Sequence, residues 1–63
     1  MVAAGERQQA LRQDSARLLQ LATTLKQEIE TAPLGTIPAT SLKHSEEIEK
    51  VAKRLKKELR GQP

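Results

Sequence analysis

Apolar and small residues recur at Leu11, Ser15, Leu18, Ala22, Leu25 and Ile29, in alternating steps of four and three. Such steps keep all six on one narrow stripe of an α-helix. Leu19 and Leu21 widen the stripe, and Gln8, Gln13, Gln20 and Gln27 fall mostly off it. From Glu6 to Thr31 there is neither Pro nor Gly, and most residues are strong helix formers. The pattern predicts a first helix over 6–31. A second stripe runs through Ile48, Val51, Ala52, Leu55 and Leu59 and ends at Arg60-Gly61, a glycine stop behind basic residues. It predicts a second helix over 38–60.

Residues 32–37 read as the turn between them. Pro33 forces Ala32 out of the helical region, and two prolines and a glycine within Pro33–Pro38 restrict the turn tightly. Pro38 suits the first helical turn, where its missing N–H is not needed. Thr36, Thr40 and Ser41 are equal candidates for the cap. A short turn makes the two helices antiparallel neighbours. The expected fold is therefore all-α, a single helical hairpin over residues 1–63. Ile29 should meet the stretch from Ser41 to Ile48, Leu25 should meet Ile48 or Val51, Leu18 should meet Leu55, and Leu11 should meet Leu59.

Composition sharpens this picture. Sixty-three residues without cysteine or any aromatic side chain have few ways to stabilise a small core. Two helices alone leave half of each stripe wet, so the hairpin calls for completion by a partner or by dimerisation. The residues expected at that interface are Leu11, Leu18, Leu21, Leu25, Ile29, Ile48, Val51, Leu55 and Leu59. No apolar run forms a leader or a membrane span, which points to the cytoplasm or the inner face of a membrane.

Net charge is +3 and unevenly placed. Four basic and four acidic residues cancel over 1–42, whereas seven basic face four acidic over 43–63. Glu46 with Lys50 and Glu49 with Lys53 are spaced for pairs along the second helix. Lys56, Lys57 and Arg60 oppose the negative end of its dipole. Lys50, Lys53, Arg54 and Lys57 share a broad face with the reach to contact phosphates or anionic headgroups. That reading competes with the plainer one of a solvated helix end.

Catalytic chemistry finds little support. His44 is the only histidine and has no second histidine or spaced carboxylate pair beside it for a metal, so a half-buried histidine near the turn, hydrogen-bonded to backbone or water, is expected. Glu46, Glu47 and Glu49 read as solvated helix face rather than an acid/base cluster. Ser15, Ser41 and Ser45 have no base beside them, and Gly5, Gly35 and Gly61 form no phosphate loop. No cofactor is expected, and the chain reads as a non-enzyme.

The strings Leu18-Leu19-Gln20-Leu21-Ala22-Thr23-Thr24-Leu25-Lys26 and Glu46-Glu47-Ile48-Glu49-Lys50-Val51-Ala52-Lys53 resemble a group of short, uncharacterised bacterial helical-hairpin proteins. The likeness spans roughly Leu11 to Gly61. It implies the hairpin fold and carries no activity with it. Length and layout are also similar, at the level of fold alone, to Rop-type copy-number regulators, which are RNA-binding dimeric four-helix bundles. The expected function is a small accessory subunit packed onto a larger protein assembly. The cytoplasmic edge of a membrane energy-converting or photosynthetic complex would suit the basic end of the second helix. The alternative is a homodimeric four-helix bundle that binds nucleic acid through that basic face.

Overall fold

The computed structural model describes residues 4–61 as two antiparallel helices, α1 (Ala4–Thr31) and α2 (Ala39–Arg60). The hairpin is all-α, as expected, and both helices start and stop within two residues of the predicted bounds. The turn is built by three local devices. The Ala32 N–H still donates to the Glu28 carbonyl at 3.1 Å, closing the last turn of α1. The Thr36 N–H then donates to the Pro33 carbonyl at 3.0 Å across Leu34 and Gly35, and Gly35 has a φ of 79°. A positive φ at the third residue of a four-residue turn is the type II arrangement, which favours glycine there.

The start of α2 departs from expectation. Pro38 stands at the N-cap, with φ −61° and ψ 137°, rather than inside the first turn. Its carbonyl accepts from the Ser41 N–H at 3.0 Å, and no side chain caps the helix. The hydroxyls of Thr40 and Ser41 are drawn across the hairpin to Glu28 instead. At the far end Gly61 is right-handed, with φ −72° and ψ −4°, and its N–H bonds to the Lys57 carbonyl at 3.0 Å. The stop therefore needs no left-handed residue.

The helices meet along a heptad seam. Leu11, Leu18 and Leu25 occupy a positions and Asp14, Leu21 and Glu28 occupy d positions, all at least half-buried. On α2 the a positions are Ser41, Ile48 and Leu55, and the d positions are His44, Val51 and Glu58, covered to the same degree. The tightest point is central, where Leu21 is 3% exposed and Val51 6%. Polar residues close the seam at both ends, around Glu28 and around Asp14.

This seam corrects the stripe read from the sequence. Ser15, Ala22 and Ile29 are exposed at e positions, and Asp14, Leu21 and Glu28 take the places beside Leu11, Leu18 and Leu25. On a helical wheel, e lies even closer to a than d does, so hydrophobicity alone selected e. Two carboxylates displace that choice because each finds donors on α2. Ile29 accordingly lies outside the seam and is 59% exposed.

Candidate functional site

The two flanks of the seam differ in kind. In an antiparallel helix pair, g positions adjoin g positions and e positions adjoin e positions. On the g flank Arg17 reaches Glu47 at 3.2 Å, from g to g across the hairpin. Arg54, also at g, donates from Nε and a terminal nitrogen to the two oxygens of Asp14 at 2.9 and 2.8 Å. This is a two-pronged guanidinium–carboxylate pair. The g flank is thus closed by charge.

Both ends of the seam are carboxylate clamps. Near the turn, Glu28 accepts from Thr40 Oγ1 at 2.6 Å and from Ser41 Oγ at 3.4 Å. His44 Nδ1 lies 2.8 Å from the same carboxylate. A carboxylate only accepts, so that nitrogen carries the proton. The Thr40 hydroxyl first, and His44 after it, hold the Glu28 carboxyl below its ordinary range. At the open end Glu58 lies beside Asp14, and Glu58 Oε1 is buried with no donor of its own. The Asp14 carboxyl beside it, with burial as the second cause, pushes Glu58 above its ordinary range, while Arg54 and then Glu58 lower Asp14.

The e flank has no such closure. Ser15, Ala22 and Ile29 on α1 and Ser45, Ala52 and Leu59 on α2 are exposed along it. Leu19 and Leu42, at neighbouring b positions, extend the same face and are 69% and 65% exposed. Every large aliphatic side chain that the described helices leave exposed is therefore at a b or e position. Leu34 and Ile37 add two more exposed side chains at the turn. At the open end Gln8, Leu11, Arg12, Ser15, Leu55 and Leu59 line an open groove of about 410 Å³ on this flank.

The expected interface set is divided by this geometry. Leu21 and Val51 are consumed inside the hairpin. Leu11, Leu18, Leu25, Ile48 and Leu55 are half-buried in the seam, and Ile29 and Leu59 are exposed on the open flank. Among the basic residues, Arg54 is engaged by Asp14. Lys50, Lys53 and Lys57 lie exposed on the back of α2, and none belongs to an ion pair among the described residues. The anticipated Glu46–Lys50 and Glu49–Lys53 pairs are likewise not formed, and the pair along a helix is Lys26–Glu30 at 2.9 Å.

The remaining polar candidates have local partners. Ser15 and Ser45 donate back to the carbonyls of Arg12 and Leu42 at 3.0 and 2.8 Å. No cluster of three His, Cys, Asp or Glu side chains among the described residues is arranged to hold a metal. No helix among them is long and apolar enough to cross a membrane. Asp14, Glu28 and Glu58 were missed as seam residues, although the 14-21-28 spacing beside 11-18-25 carried the signal. No family model, curated protein or solved structure matches the chain.

Proposed function

We propose that this chain is a non-catalytic interaction module, a small structural subunit whose open flank is covered by a protein surface. The observation that carries this reading is the confinement of the exposed helical aliphatics to b and e positions, opposite a flank closed by ion pairs. An ordinary surface scatters its apolar residues, whereas a contiguous apolar patch marks an interaction site. A photo-crosslinking residue tests it. Placed at Ala22 it should capture a discrete protein adduct in cells, and placed at exposed Gln13, on the opposite side of α1, it should not. Equal capture, or none, from both positions would overturn the reading.

A second reading adds anion contact through Lys50, Lys53 and Lys57. What favours it is that these lysines are exposed, unpaired by any described acid, and off the apolar flank. They therefore stay available when that flank is covered. The reading requires binding to a nucleic acid duplex that weakens steeply with salt and is lost when the three lysines become Glu. Salt-independent binding, or no binding at low ionic strength, counts against it.

A further inference from the structure

We propose that the occupant of the open flank is a second copy of this chain, stacked with its turn over the open end of the first to complete a four-helix bundle. This rests on the reading that the flank is covered by protein. Three observations choose the occupant and its orientation.

The first is size. The hairpin measures 50 × 14 × 12 Å, so its open flank projects to on the order of 700 Å², near the roughly 800 Å² per partner of a standard interface. A second hairpin has matching dimensions by identity and covers the flank from end to end.

The second is shape. The bond from Ser41 to Glu28 and the heptads that follow place Ala52 level with the midpoint of α1. A two-fold axis crossing the hairpin at that level lays α2 on α2 and α1 on α1, each antiparallel. Ala52 then meets its own copy, and Leu59 falls opposite Ser45. On α1, Leu19 falls opposite Ser15. Large residues meet small ones along the flank, which is the interdigitation a packed bundle requires.

The third is charge. The same axis sets Glu49 opposite Lys56 of the second copy, and by symmetry the pair forms twice. The competing stack, with the two turns side by side, lays α1 on α2. It sets Arg12 against Lys56 at both symmetry-related places and Leu19 against Glu49. Like charges face to face disfavour that arrangement, so the turn-to-open-end order is selected.

Sedimentation equilibrium with circular dichroism on the full chain tests the proposal. The chain should be a helical dimer. Glu49→Lys and Lys56→Glu, each turning two attractive contacts into repulsive ones, should raise the dissociation constant about tenfold. The double exchange should restore it, and Gln13→Glu on the far side of α1 should leave it unchanged. A helical dimer indifferent to both charge reversals would overturn this stacking. An unfolded monomer at every concentration would overturn the second copy while leaving a different protein as the cover. A helical monomer would overturn both this proposal and the reading on which it rests.

Discussion

Gly35 and three carboxylates set the character of the hairpin at the scale of single residues. Gly35 holds a φ of 79° with open space around it, so only the backbone objects to a side chain there. Gly35→Ala should destabilise the hairpin by about 1 kcal/mol, read as a lower denaturation midpoint. The carboxylates divide by the direction of their shifts. Asp14 and Glu28 are lowered, so their stabilisation is full above the ordinary carboxylate range and is lost as pH falls through their folded values. Glu58 is raised, so its contribution is full below the ordinary glutamate range and is lost as pH rises through its folded value. Thermal melts across pH should therefore show maximal stability on the acid side of neutrality. Glu58→Gln keeps a donor beside Asp14 at every pH. It should raise the melting temperature at neutral pH, with the advantage shrinking as the medium becomes acidic enough to protonate Glu58. An unchanged neutral-pH melt would contradict the upward shift of Glu58.

At the scale of elements, the helices depend on a short apolar centre held between two polar ends. Leu21 is the most buried side chain of the described residues, and Leu21→Ala should cost about 2–5 kcal/mol. A comparable cut at exposed Leu42 should do far less to the hairpin itself. Chemical denaturation of the two variants decides this. The helices and their turn were legible in the sequence, because proline, glycine and apolar recurrence act locally. Which residues share the seam was only half legible. Periodicity located Leu11, Leu18 and Leu25, but it could not choose between d and e as their companions. The choice depends on donors brought from α2, a tertiary fact: Thr40, Ser41 and His44 admit Glu28 to the seam, and Arg54 admits Asp14. Polar seam residues of this kind fix register and orientation in paired helices. The basic run on α2 was legible as composition, yet one of its four members, Arg54, was already engaged within the hairpin.

For the whole molecule, one asymmetry organises everything else. Arginines and acids close the g flank, while the other flank carries the small residues and exposed aliphatics, with Arg12, Lys26, Glu49 and Lys56 at its b positions. A free chain with only two apolar residues, Leu21 and Val51, in its buried core among those described has little to hold its helices together. Covering the open flank adds the rest of the core, and folding becomes coupled to association. The most direct test of this account is the helicity of the purified chain across a wide dilution series, by circular dichroism at neutral pH. The account predicts that helicity falls on dilution, with a midpoint that moves to higher concentration when Ala52→Glu places a charge on the open flank. Full helicity retained to the lowest concentration, with or without that substitution, would contradict it.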